Sequence, residues 1–326
     1  MRGRRAYEYT SGLATTIGEY VAFREGLGFS DEHARRLVGF DRFCAECRPQ
    51  STSLDKGTVR GWFDRELRSG AKDLAGKACA IRCLARHVGG DAYVLPTSAV
   101  PKSPAFKPYI MGDDELRRFF EALDSLWIRR DPFLNVALRV MVRLIYACGL
   151  RPGEARRLRV GAVDFSAGVM LIEQSKGLKD RYVTAADDVA ELLRTYRERR
   201  AIVADDGPDE LLFVRTDGSE VKSDHLRRHV QRAWAAANPG TPADELPRLR
   251  PYDLRHRFAS EVLQRWIDEG RNLYSMLPYL RSFMGHVRFE DTAYYIHMLP
   301  DRLVRSPGVD WGDIDGVGLG VGIWED

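Results

Sequence analysis

The sequence predicts a mainly α-helical chain in two domains, with a small β-hairpin or sheet in the second. Three observations carry this. Four helical periodicities crowd the first ninety residues, and nothing strand-like precedes Tyr93. A stretch with four prolines, residues 94–109 (VLPTSAVPKSPAFKPY), then admits neither a helix nor a central strand. Beyond it helical patterns resume, broken by two short β-type runs around a turn. A chain of 326 residues is long for one average domain. The expected division is a helical domain over 1–105 with its linker at about 94–109, a second domain over 110–310, and a tail over 311–326.

In the first domain, helices are expected at roughly 11–26, 31–46, 54–68 and 72–88. Leu13, Ile17 and Val21 recur at helical spacing in the first, and Asp31 and Glu32 suit the start of the second. Val59, Trp62 and Phe63 mark the third, and Leu74, Ala78, Ile81, Leu84 and Ala85 the fourth. Arginines such as Arg35, Arg42, Arg60 and Arg82 fall on the outer faces. In the second domain Asp113, Asp114 and Glu115 open a helix whose apolar stripe is Leu116, Phe119, Phe120 and Leu123. A longer apolar helix runs from about Phe133 to Cys148, and Gly149 is placed to cap it. Arg151 then precedes Pro152, a residue favoured at the first helical position, so Arg151 sits between two helices with Glu154 within reach.

After Leu158 the period changes. Residues 169–174 and 181–184 read as a hairpin with Lys176 near its tip, and Leu211–Val214 as a short strand. Helices follow at about 186–202 and 223–237. Asp253 opens another, with Leu254, Phe258, Val262 and Trp266 as its stripe and Arg255 to one side. A helix over 272–284 ends at Gly285, and His286 follows. In the next helix Phe289, Ala293 and Ile296 face inward, which turns Tyr295 away from the core.

Composition excludes several classes. Hydrophobic residues at 44% and charged residues at 30% are ordinary for a globular protein. No apolar run reaches membrane-spanning length, and MRGRRAYEYT lacks a following apolar region, so a cytoplasmic location with no membrane partner is expected. The net charge of +3 is uneven: residues 1–110 hold 18 basic against 12 acidic residues. That asymmetry suits a polyanionic partner. Five cysteines, an odd number, suggest free thiols. Cys44, Cys47, Cys79 and Cys83 could supply four thiolates, but both pairs sit in helical patterns rather than the turns that usually present zinc ligands, so no metal is expected.

Four segments together resemble the tyrosine recombinases, the phage integrase family. GLRPGEARRL resembles their first arginine box, and YDLRHRFAS their second. In FMGHVRFEDTAYYIH a Gly-His is followed nine residues on by a tyrosine, as in their third. SKGLKDRYV resembles their hairpin lysine, in the expected order between the first two boxes. The resemblance covers most of 110–298, and the first domain looks like the family's helical core-binding domain.

The resemblance implies a site-specific recombinase, of integrase or transposase type, that acts on double-stranded DNA through a 3′-phosphotyrosine. It needs no cofactor, metal or ATP, and works as a tetramer of identical or related chains. Arg151 and Arg255 would hold the scissile phosphate, and Lys176 would protonate the leaving 5′ oxygen. His286 would donate to the phosphate, and Tyr295 rather than its neighbour Tyr294 would attack. Lys179, Arg250 and Arg257 flank the boxes as candidate DNA-backbone contacts. One departure is Tyr252, where the family has histidine. A tyrosine hydroxyl can donate but cannot carry a full positive charge, so a positioning role is expected. The competing readings are a DNA-binding protein of this fold that has lost catalysis and a strand-nicking topoisomerase.

Overall fold

The computed structural model describes residues 7–29, 31–71, 73–101, 108–173 and 180–296. These fall into two compact units, divided at residues 105 and 106.

The first unit is helical among its described residues: α1 (Ala14–Gly26), α2 (Glu32–Cys47), α3 (Lys56–Arg68) and α4 (Leu74–Val88). Apolar side chains from each helix meet in a shared core that includes Ile17, Leu37, Phe40, Trp62, Phe63, Ile81 and Leu84. Asp55 starts α3 by accepting a 2.9 Å hydrogen bond from the Thr58 amide. The proline-rich stretch is less extended than its composition suggests. Leu95 is fully buried in this core, and Thr97–Ala99 forms a single 3-10 turn. Residues 102–107 lie outside the described set.

The second unit begins with α5 (Asp113–Ser125) and α6 (Pro132–Ala147), followed by the short α7 (Pro152–Arg157). A three-stranded antiparallel sheet comes next: β1 (Val163–Asp164), β2 (Val169–Ile172) and β3 (Arg181–Thr184), in that order. Met170 opposes Val183, and both are buried, as alternation requires. The remaining helices are α8 (Asp187–Arg200), α9 (Ser223–Ala237), α10 (Pro251–Asp268), α11 (Leu273–Met284) and α12 (Glu290–Ala293). Within the main core α5 packs on α9, and α6 on both α8 and α10. The fold is therefore mainly helical with one small sheet, as the sequence predicts.

Three local expectations need correction. Leu211–Val214 forms only isolated bridges, from Leu211 to Arg159 and from Val214 to Glu220. There the backbone is held by Arg200, whose buried guanidinium donates to the Leu211 carbonyl at 2.8 Å and to the Asp205 carbonyl at 2.6 Å. On α10 the buried stripe runs through Arg255, Ala259 and Leu263, while Phe258, Val262 and Trp266 are half-buried. Arg255 thus lies inside the stripe, not beside it. Tyr295 is also buried: after Ala293 the helix tightens, with the Tyr295 amide bonded to Thr292 O, and the ring packs on His256 and His286.

The turn from α6 to α7 places Arg151. Gly149 adopts φ +59°, and a Cβ there would lie 2.5 Å from the Phe258 ring of α10. Both the left-handed backbone and the close approach require glycine. Gly149→Ala should lower stability by about 2 kcal/mol or more. Urea unfolding of the two proteins measures it, and an unchanged midpoint would show that the turn relaxes freely.

Candidate active site

The site grows from two helix starts built alike. Arg151-Pro-Gly-Glu154 opens α7, and Arg250-Pro-Tyr-Asp253 opens α10. In each, proline occupies the first helical position, and the acid three residues after the arginine accepts that arginine's backbone amide at 2.8 Å. Each acid also binds the guanidinium of its own arginine, at 2.7 Å for Glu154 and 2.8 Å for Asp253.

Glu154 does more than cap. Its side chain is 1% exposed and gathers three arginines. Arg151 binds one oxygen. Arg181, at the start of β3, binds both, at 3.0 and 2.8 Å. Arg255 Nη1 lies 3.9 Å away. Burial alone would raise the Glu154 carboxyl, but Arg181 and Arg151 bring it down to about 2.

The guanidiniums are further fixed by helix-end carbonyls. Arg255 donates to Gly149 O at 2.5 Å and Met284 O at 2.7 Å, and Arg151 to Gly285 O at 2.7 Å. Arg181 donates to Phe283 O at 2.8 Å. The end of α11 therefore serves as an acceptor surface for all three. Gly285 makes this possible: it has φ +66°, and a Cβ would meet Arg181 Nη1 at 2.8 Å. Arg255 is fully buried, and its Nε has no partner among the described atoms. Burial and Arg151 lower its pKa.

His286 Nε2 lies 2.9 Å from Arg255 Nη2, and Nδ1 lies 2.8 Å from Thr292 Oγ1. Arginine only donates, so Nε2 accepts and Nδ1 carries the proton toward Thr292. Burial, Arg255 and Arg151 push the imidazole down to about 3, in keeping with this neutral form. Both ring nitrogens are thus engaged within the protein, whereas the sequence reading has His286 donate to a phosphate. The Tyr295 ring lies 6.0 Å from that of His286, nearly parallel, and 5.4 Å from that of His256. Burial raises the Tyr295 hydroxyl's pKa against the opposing effect of Arg255. Tyr252 is half-buried, its ring 6.0 Å from the Arg255 guanidinium and 5.0 Å from His256.

Arg151, Arg255, His286, Tyr295 and Tyr252 are therefore brought together. Lys176 and Lys179 lie outside the described residues. Arg250 borders a cleft of about 330 Å³ that Arg156, Arg227, Arg248 and Tyr252 also line. Arg257 is mostly buried and bound to Asp113 and Glu261. Arg181 and Thr292 were missed by sequence reading. Thr292, six residues after His286, carries no mark of its role, and Arg181 reads only as a strand residue.

This constellation on a mainly helical fold fits the comparison with known proteins. Residues 110–302 match the profile of the phage integrase family. The chain belongs to that family. A provisionally named integrase/recombinase of Sinorhizobium fredii, y4rE, is 27% identical over 90% of this chain and 94% of its own length. The tyrosine recombinase XerC of Anoxybacillus flavithermus is 28% identical over 73% of this chain and 75% of its own. Among solved structures, the Tn1549 transposon integrase bound to transposon right-end DNA shares the fold, with TM-score 0.64, 14% identity, and coverage of 95% of this chain and 100% of that one. As in these integrase-family relatives, the match extends well beyond the site.

Glu154 makes this family member's stability depend on acid. Its folded pKa of about 2 lies below the ordinary 4.5. The ionised carboxylate therefore adds stability that is complete above about pH 4.5 and is lost as pH falls through about 2. The gap corresponds to roughly 3 kcal/mol. Glu154→Gln should lose at least about that much at neutral pH and should unfold with a shallower pH dependence between roughly pH 5 and 2. Urea midpoints across that range check it; parallel pH profiles would remove Glu154 as the source.

Proposed function

We propose that this chain is a site-specific DNA recombinase of integrase or transposase type that cuts and rejoins strands through a 3′-phosphotyrosine on Tyr295. One observation carries the reading: a single buried carboxylate is shared by three guanidiniums, next to a neutral histidine and the Tyr295 ring. The surplus positive charge is held in place before any substrate arrives. It suits a group that gains negative charge on the way to its transition state, as phosphate oxygens do.

In this reading Arg151 and Arg255 take the non-bridging oxygens. A guanidinium keeps its charge and presents two parallel donors, which an ammonium cannot. Arg181 acts through Glu154 as a positioning residue. The Tyr295 oxygen bonds to phosphorus as its proton passes to solvent, and the bond to the 5′ oxygen breaks. Lys176 delivers the proton that the 5′ oxygen takes up. The covalent link conserves the phosphodiester energy, so rejoining needs no ATP. Tyr252 positions rather than titrates. His286 holds Arg255 in the free protein; once that contact is exchanged, moving its single proton from Nδ1 to Nε2 lets it donate to phosphate.

DNA-backbone contacts in the second unit fall to the arginine-lined cleft beside Tyr252, with Arg248 and Arg250 as contributors. Arg257 contributes only if Asp113 and Glu261 release it. In the first unit Arg35 and Arg42 line a hollow on α2 and α4 that suits phosphates; Arg36 and Lys77 line it too but are paired with Asp73 and Glu66. The active form is a tetramer of identical or related chains on duplex DNA, and its place is the nucleoid.

Covalent trapping tests this. Duplexes selected from a random pool by binding are nicked near each candidate phosphate and incubated with protein in EDTA. An SDS-resistant adduct is expected with wild type and not with Tyr295→Phe. Arg255→Lys should slow adduct formation by about a hundred- to a thousand-fold while duplex binding persists. An adduct that survives Tyr295→Phe moves the nucleophile, to Tyr294 first. Specific binding without any adduct would leave a binding protein that has lost catalysis, and Tyr252→His would then be the variant to assay.

A further inference from the structure

The first unit carries a cluster that the strand-transfer reading does not use. Cys79 and Cys83 stand one turn apart on α4 and so share a face. His33, on the first turn of α2, meets them there. One nitrogen of His33 and the two sulfurs all lie within 4.8 Å of one another. A tetrahedral zinc with two sulfurs and one nitrogen needs donor separations of roughly 3.5–3.8 Å, which small side-chain rotations from this arrangement reach.

We propose that His33, Cys79 and Cys83 form a binding site for a soft transition-metal cation, zinc foremost, that fastens α2 to α4. Two thiolates and an imidazole are the donor set such ions prefer over magnesium or calcium. Three protein ligands leave a fourth position for water.

Two further features suit a built site. The Tyr20 hydroxyl lies 2.6 Å from His33 Nδ1 and holds the imidazole in place beside the two sulfurs. Cys79 is exposed, which gives the ion a path in while His33 is buried. Nearby Arg36 is neutralised by Asp73 and Glu32, so its charge weighs less against a cation. The site differs from the four-cysteine set that the spacing suggests. Cys44 is fully buried in the core, its thiol pushed up to about 12 by burial, and Cys47 contacts Arg65. Neither joins the cluster.

Full-length protein, reduced and stripped of metal, is loaded with zinc alone, gel-filtered and analysed for bound metal. Cobalt provides the spectroscopic probe. About one zinc per chain should be retained, and cobalt should show thiolate-to-metal charge transfer. Cys79→Ser and Cys83→Ser should each weaken zinc retention at least about a hundredfold, and Cys47→Ser should leave it unchanged. Zinc should raise the thermal midpoint of wild type and not of the two cluster variants. No retained zinc, or equal retention in wild type and Cys79→Ser, overturns the proposal. Cys79 is exposed, so its serine variant tests the site even if Cys83→Ser fails to fold. The readouts involve no DNA, so failure of the recombinase reading would not affect them.

Discussion

The second unit's site depends on one buried carboxylate. Glu154 binds Arg151 and Arg181 directly and lies near Arg255, joining α7, β3 and α10. Three guanidiniums brought this close would repel one another strongly in a medium of low polarity. The shared anion makes their assembly tolerable, and the carbonyls of Met284, Gly285 and Phe283 take up remaining donors. Losing the anion would leave buried charge without compensation, which is generally worse than never having buried it.

How much of this could be read in advance depended on whether a residue's role is local. Arg151 and His286 sit at chain punctuation, a glycine-ended helix followed by proline or by histidine, and such signals survive in sequence. The helices of both units follow apolar periodicity for the same reason. Arg181 reaches Glu154 across 27 residues and Phe283 across 102, through strand register that no local pattern encodes. The α10 stripe was misassigned because apolar patterning prefers Phe258 and Trp266 to an arginine. Here Ala259 and Leu263 share the buried face with Arg255, whose charge is satisfied by helix ends distant in sequence. Tyr295 is buried although it lies off the apolar stripe, because its ring packs on His256 and His286, which lie 39 and 9 residues away and which no local pattern brings to it.

The free protein holds its reactive groups in contacts with one another. His286 is spent on Arg255 and Thr292, and the Tyr295 ring is packed among His256, His286 and Tyr294. Burial raises the pKa of that phenol, which disfavours its ionised form further. In the proposed reaction, a bound phosphate would compete for the same donors, so binding and activation are linked through exchange of hydrogen bonds rather than through addition of a new group.

Tyr295 belongs to a small apolar cluster with Leu263, Leu277, Leu280 and Ile296, separate from the main core that holds α5, α6 and α9 together. Segments tied to a satellite cluster can open by local unfolding while the larger core stays intact. Substitutions inside this cluster, away from the arginine network, could then loosen the tyrosine-bearing segment with less cost to the main core.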